Sequence, residues 1–228
     1  MGHPGNLAFV KCNLSTFTGP LLEIGSRDYG NTQNLRGLFP GADYVGVDAL
    51  AGKGVDLVLD LTADFATVDA ALGGQRFGSV FCLCVLEHCQ NPFKMAENIT
   101  ALLRPGGVVY VSAPFAWKCH AYPSDYWRFT PEGVRKLFPA LRFPPQLAAC
   151  STDRPGHILP LDDELGRIRI SGSWQRRDGH FFRGLSADLL RCLGAVGLIR
   201  WLTQYRYLMR PTTIDMIGIL DQADAPSG

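Results

Sequence analysis

An excess of either charge is missing from this chain. Across 228 residues, Lys and Arg total 22 against 21 for Asp and Glu, a net of +1. Such balance gives no field to draw in nucleic acid or an anionic membrane, so neither is expected as a partner. Long apolar runs are missing too. The best, Leu193 to Ile199, sits between Arg191 and Arg200, far short of the ~18 residues a spanning helix needs. Met1 to Pro20 has no basic region leading into an apolar stretch, which argues against a signal peptide. Cysteine is present without a framework: seven residues, odd in number and irregular in spacing. Cys82, Cys84 and Cys89 near His88, or Cys119 beside His120, lack the second paired hook of a structural zinc site. They read as small apolar fillers in a reducing compartment. A soluble, cytoplasmic protein without a metal is the expectation.

What the chain does have is enough apolar material for a core, 46% against 19% charged, at the length of one domain carrying an insertion. From Gly19 to Pro114 short apolar runs alternate with helix-like stretches. Strands are predicted at 21–24, 44–47, 55–61, 79–85 and 108–112. Helices are predicted at 34–39, 65–72 and 92–103, with a further one at 131–138 behind a Thr130 cap. Alternation of this kind means right-handed βαβ units and a mostly parallel sheet. Residues 153–211 differ, with ten Arg, no Lys and six acids, and 184–209 is helical in pattern with interruptions at Gly194 and Gly197. After Pro211, Thr213 to Leu220 returns to a strand pattern. It is expected to run antiparallel between the strand at 108–112 and one at about 142–149. The reading is an α/β, Rossmann-like, doubly wound sheet of seven strands in a single domain. Its core covers about 19–149 plus 213–221, and a helical insertion covers about 150–212.

The most informative segment is Leu22-Glu23-Ile24-Gly25-Ser26-Arg27-Asp28-Tyr29-Gly30, a strand running into a turn that aims backbone N–H groups at the mouth of the sheet. Alone it is a weak signal, and a βα loop without a ligand reads as well. A phosphate-binding P-loop fails because Asn31 stands at the lysine position, and no lysine lies between Lys11 and Lys53. A dinucleotide fingerprint is weakened by Arg27 at its middle glycine. S-adenosylmethionine carries no phosphate and tolerates a crowded turn. It calls for an acid after the second strand for the ribose hydroxyls, and Asp48 lies 23 residues beyond Gly25. Asp60, near the end of the third strand, suits the adenine amine.

With these residues in place, the chain resembles the class I S-adenosylmethionine-dependent methyltransferases, of the small-molecule group found in sugar and natural-product pathways. The resemblance rests on 22–27, on Tyr44-Val45-Gly46-Val47-Asp48, on Val85-Leu86-Glu87-His88, on Leu103-Arg104-Pro105-Gly106-Gly107, and on 122–131, Tyr-Pro-Ser-Asp-Tyr-Trp-Arg-Phe-Thr-Pro. It covers about 19–140. It implies a cofactor site of Glu23, Gly25, Ser26 and Arg27 at the turn and Asp48 at the ribose. Ala49, Asp60 and Leu61 would meet the adenine, with Cys84 and Val85 beside the methionine moiety. Family members commonly have Asp where this chain has Gly78.

Methyl transfer is an in-line displacement in which the protein supplies alignment and, for a hydroxyl acceptor, a proton acceptor. His120, with Asp125 five residues on to orient its ring, and His88 are the catalytic candidates. Trp117, Tyr122, Asp125 and Tyr126 are the candidate acceptor contacts, and the Arg-rich tail could hold an anionic acceptor or simply be a solvated face. The expected function is methyl transfer to a small molecule, with the hydroxyl of a sugar or secondary metabolite as acceptor. The alternative is a catalytically silent module that keeps the fold and acts through a partner.

Overall fold

Local signals set most elements. In the computed structural model, which describes residues 4–30, 34–120, 124–152, 154–162, 165, 167–169, 171–177, 179–199 and 207–222, the chain opens with helix α1 (Pro4–Cys12). It continues through β1 (Leu21–Ile24), β2 (Tyr44–Asp48), β3 (Leu57–Val58), α2 (Phe65–Ala71) and β4 (Phe77–Leu83). Next come α3 (Pro92–Leu102), β5 (Leu103–Ala116), α4 (Pro131–Leu137), β6 (Leu141–Arg142), β7 (Ala148–Thr152) and β8 (Ile158–Pro160). The chain then forms β9 (Arg167–Arg169), α5 (Gly172–Arg177), α6 (Phe181–Ala195), β10 (Tyr207–Met209) and β11 (Thr212–Leu220). Both α3 and α4 begin on a proline whose missing N–H costs nothing in a first turn. Asn91 caps α3 by accepting from Lys94 N at 3.1 Å, and Thr130 caps α4 by accepting from Gly133 N at 3.0 Å.

Two compact units result, Met1–Leu161 with Pro211–Gly228, and Asp162–Arg210. The first is built on one sheet in the order β3-β2-β1-β4-β5-β11-β7-β8, with β6 beside the end of β11. From β3 to β5 the pairings are parallel, and β11 runs antiparallel between β5 and β7. This matches the slot expected for the last strand. The count differs: nine strands among the described residues, where seven were expected. Pro144 and Pro145 break the predicted strand at 142–149 into β6 and β7, because proline donates no ladder hydrogen bond. The chain then turns back at Gly156 (φ 70°) to add β8 against β7.

Every residue of β4 is buried, as a strand covered on both faces requires. Its alternate residues Phe81 and Leu83 share a cluster with Phe9 and Val10 of α1, Phe17, Leu21, Tyr110 and Ile217. Helix α1 had no counterpart among the predicted elements. Its Asn6, 1% exposed, donates through Nδ2 to Ser112 Oγ (2.7 Å), Asp215 Oδ1 (3.0 Å) and Tyr110 Oη (3.1 Å). Tyr110 Oη and Ser151 Oγ donate to the same Asp215 carboxylate at 2.7 and 2.5 Å. Asp215 is thus fully buried at the centre of the sheet and fully occupied, the condition on which a core tolerates such a group.

The second unit pairs β9 with β10 antiparallel and packs α5 on α6. Arg176 donates to Asp188 across the helix pair at 2.7 Å. A Cβ on Gly184 would lie 2.9 Å from the Gly172 carbonyl, so glycine permits the close approach. The helix expected over 184–209 ends instead at Ala195, where Gly197 takes the left-handed conformation (φ 84°) that closes helices. Tyr207–Met209 is strand.

Candidate active site

Strands β1, β2, β3 and β4 all deliver their C-terminal ends to one rim, which is where open parallel sheets bind ligands. A cleft of about 460 Å³ opens there, within the size range of small-molecule sites. Ile24, Ala49, Leu50, Leu59, Leu61, Val85 and Met95 form its apolar walls. Gly25, Tyr29, Asp48, Asp60, Thr62, His88, Cys89 and Gln90 complete the lining.

The turn after β1 is strapped to the segment after β2. Gly25 N and Ser26 N donate to Val47 O at 2.8 and 3.1 Å, and Asp28 N donates to Lys53 O at 2.8 Å. Lys53 Nζ reaches the Asp28 carboxylate at 2.8 Å. Gly25 itself has φ 73°, a conformation that favours glycine. A Cβ on Gly46 would stand 2.8 Å from Ser26 Oγ and 2.7 Å from the Gly54 carbonyl. The glycine in Tyr44-Val45-Gly46-Val47-Asp48 is therefore what lets the two segments meet. Gly78 has a similar cause: a side chain there would strike the Thr18 carbonyl at 2.5 Å.

Asp48 and Asp60 both line the cleft, as do Gly25, Ala49, Leu61, Val85 and His88. Asp48 Oδ1 accepts from Leu50 N at 2.9 Å. Asp60 Oδ1 accepts from Thr62 N and Thr62 Oγ1 at 2.8 and 2.7 Å. The remaining expected cofactor residues, Glu23, Ser26, Arg27 and Cys84, are not among the described residues lining the cleft. Ser26 is wedged against Gly46, while Arg27 lies against Gly52 and over the Tyr29 ring, 4.9 Å from its centroid. Glu23 accepts from Tyr44 Oη at 2.7 Å. Burial raises its carboxyl, and the Tyr44 hydrogen bond and Arg36 work in the opposite direction. Cys84 ends β4 at φ 54°, unusual for any residue but glycine. Burial, then the Glu87 carboxylate, pushes its thiol well up.

Beside the cleft, the one-turn helix Leu86–His88 meets the loop that follows β5. His88 Nδ1 lies 2.5 Å from Ser124 O. Its ring meets that of His120 edge to face, with centroids 4.9 Å apart. Burial lowers the His88 pKa, and the contact with Ser124 O opposes this. His120 Nδ1 stands 3.1 Å from Asp125 Oδ2, and His120 N donates to the same oxygen at 2.9 Å. Arg128 clasps Asp125 from the other side at 2.5 and 2.8 Å, which holds its carboxyl far below the usual range. Glu87, buried at 1% exposure, went unremarked as a functional group in the sequence. Burial pushes its carboxyl up to about 8, with Asp125 adding to the effect and Arg128 opposing it. An acid inside an otherwise apolar run, next to histidine, was the available signal.

Of the expected acceptor contacts, Asp125 is in this corner. Tyr126 is exposed, with its N–H on Glu87 O at 2.7 Å and its hydroxyl accepting from Gln90 at 3.2 Å. Trp117 offers its carbonyl to Arg128 at 3.3 Å, and Tyr122 lies outside the described residues. Trp127 is 41% exposed, with Nε1 donating to Cys89 O at 2.8 Å.

The donor set fits one cofactor class. Among the described residues lining the cleft there is no Lys or Arg, whereas two carboxylates stand at the ends of β2 and β3. A cationic sulfonium with neutral ribose hydroxyls and an adenine amine suits that lining. The sequence family described as "Methyltransferase domain" matches residues 15–148, more than half of the chain. The chain belongs to this family. For a methyltransferase domain, both the acid-lined rim and the Gly25 turn stand where the fold places its ligand. No curated protein matched the chain. Among solved structures, an Archaeoglobus fulgidus protein described as a SAM-dependent methyltransferase is similar at 14% identity, over 93% of this chain and 92% of that one, with a TM-score of 0.52. A protein of echinomycin biosynthesis, described for the conversion of a disulfide bond into a thioacetal group, gives 12% identity, 96% and 83% coverage and a TM-score of 0.50. A candidate methyltransferase of Bacillus halodurans gives 12% identity, 93% and 98% coverage and 0.51. These likenesses concern the fold.

Proposed function

We propose that this methyltransferase uses S-adenosylmethionine to methylate a hydroxyl of a small molecule, a sugar or secondary metabolite. The observation that carries the reading is the two-carboxylate cleft at the strand ends, with no Lys or Arg among the described residues that line it. Asp48 would accept from the ribose hydroxyls and Asp60 from the adenine amine, with the Leu61 backbone reading the adenine edge. Ala49, Leu50 and Met95 would enclose the base, and Gly25 and Val85 would border the methionine part. Glu23, Ser26 and Arg27 are assigned the support of the turn, and Cys84 the placement of Val85. When bound, the cofactor supplies a methyl group on a sulfonium ready for in-line displacement.

The chain's own contribution is alignment and the fate of the hydroxyl proton. We assign the proton to the corner of His88 and His120, with Asp125 fixing the His120 ring and Arg128 holding Asp125. Trp117, Tyr122 and Tyr126 are assigned to the acceptor's walls. Residues 162–210 are an insertion into one methyltransferase domain, and a cytoplasmic setting completes the reading.

Calorimetric titration with S-adenosylmethionine and S-adenosylhomocysteine tests the cofactor. Mass spectrometry of a panel of hydroxylated acceptors, scored for addition of one methyl group, tests the chemistry. Absence of binding by either cofactor form would favour the alternative, a silent module that keeps the fold.

A further inference from the structure

Glu87, His88 and His120 each offer one metal-ligating atom, and the three atoms lie within 4.8 Å of one another. Glu87 Oε1 is 3.9 Å from His88 Nε2, while Glu87 Oε2 is buried without a hydrogen-bond partner. A buried polar oxygen without a partner is unfavourable, and a bound cation would both satisfy it and stabilise its ionised form. The neighbouring cation, Arg128, is spent on both oxygens of Asp125 and on the carbonyls of Trp117, Lys118 and Trp127.

The two rings are oriented by oxygen acceptors at Nδ1, Ser124 O for His88 and Asp125 Oδ2, with Lys118 O at 3.3 Å, for His120. A proton on Nδ1 leaves the lone pair on Nε2, the tautomer that metal-binding histidines use. Carbonyl and carboxylate partners at the other nitrogen are their usual outer support.

We propose that Glu87, His88 and His120 form a binding site for one divalent first-row transition cation beside the cofactor cleft. Two imidazoles and one carboxylate suit zinc, cobalt or manganese, whereas magnesium and calcium prefer an all-oxygen shell. Three protein ligands leave a position open for an acceptor oxygen. Tetrahedral ligands at zinc distances lie ~3.4 Å apart, so the widest of the ligand separations would close by up to ~1.4 Å on binding. The three residues carry no metal spacing in the sequence, since His120 lies 32 positions beyond His88.

The role of the cation rests on the methyl-transfer reading, although its binding does not. A hydroxyl oxygen held on such a cation would become more acidic, and its proton would pass to water. Its lone pair then forms the bond to the methyl carbon as the carbon–sulfur bond breaks and its electron pair returns to sulfur. With the cation bound, His120 would serve as its ligand and the proton would pass to water; the His88 and His120 corner takes the proton in the metal-free site.

The test uses the full chain, stripped with chelator and titrated separately with Zn²⁺ by calorimetry and with Co²⁺ by visible absorption. One equivalent of each should bind, and the cobalt spectrum should lack thiolate charge transfer. Glu87→Gln and the half-exposed His120→Ala should lose stoichiometric binding, and Asp125→Asn should weaken it by about 10- to 100-fold. Failure of wild type to bind either cation, unchanged binding in His120→Ala, or thiolate charge transfer would overturn the proposal. S-adenosylhomocysteine titrated in parallel separates the two readings. Zinc bound without it leaves the metal site standing and removes methyl transfer, and the reverse result removes the metal site alone.

Discussion

Replacing Asp48 should cost this protein most of its cofactor affinity. Asp48 is half-buried at the end of β2, with Oδ1 already accepting from Leu50 N at 2.9 Å. A carboxylate offers about four lone-pair sites, so two ribose hydroxyls can still be accepted. Hydrogen bonds to a charged group contribute roughly 1.5–3 kcal/mol each when buried. Half-exposure argues for the lower figure, about 3 kcal/mol for the pair. At ~1.4 kcal/mol per decade this is roughly a 150-fold rise in Kd for Asp48→Ala. Asp60 is exposed, and its Oδ1 carries two hydrogen bonds from Thr62. One bond to the adenine amine there is worth about 1.5 kcal/mol at most, so Asp60→Ala should lose ~10-fold. Asp48→Asn, which keeps an acceptor for Leu50 N, should fall between the two. Calorimetry with S-adenosylhomocysteine reads all three, with thermal unfolding as the check on folding. An Asp48→Ala affinity within about 3-fold of wild type, or a larger loss in Asp60→Ala, would refute the assignment.

Two further predictions concern the scaffold. Asn6→Ala removes three buried hydrogen bonds around Tyr110, Ser112 and Asp215 and should lower unfolding stability by about 2–4 kcal/mol in urea titration. A loss under about 1 kcal/mol would mean that α1 contributes little to the sheet. Glu23 has a folded pKa raised by burial, so the folded state holds its proton more tightly than the unfolded chain. Its stabilising contribution is complete below the ordinary value of 4.5 and is lost as pH rises through the folded value. Wild type should therefore lose stability relative to Glu23→Gln as pH increases from that point. Parallel stability curves for the two proteins would contradict the burial argument.

Much of the rim was legible in the sequence because its signals are local. The strand-to-turn transition at Gly25, the acid ending β2 and the capped starts of α3 and α4 each depend on a few neighbouring residues. The return of the chain to the sheet at β11 followed from an apolar strand pattern appearing after a long insertion. The division of the sheet at Pro144 and Pro145 was also readable in principle, though the pattern alone had joined β6 to β7. By contrast, the side of the turn taken by Ser26 and Arg27 depends on the backbones of Gly46 and Gly52, which approach only when β1 and β2 pair.

By itself, then, the sequence determined the parallel strands of the first half, the two acids that line the rim and the class of chemistry, because periodicity, capping and turn geometry act over a few residues. Tertiary structure alone decided what meets across distance. Asn6 reaches Asp215 over 209 positions, a pairing that carries no spacing signature. Glu87 and His88 meet His120 because the β4 and β5 ends lie side by side and the loop beyond β5 folds back over the first of them. Asp125 and Ser124 then turn both rings. Burial of Glu87 followed from the same packing, since a carboxylate's solvation is set by everything around it and not by its neighbours in the chain.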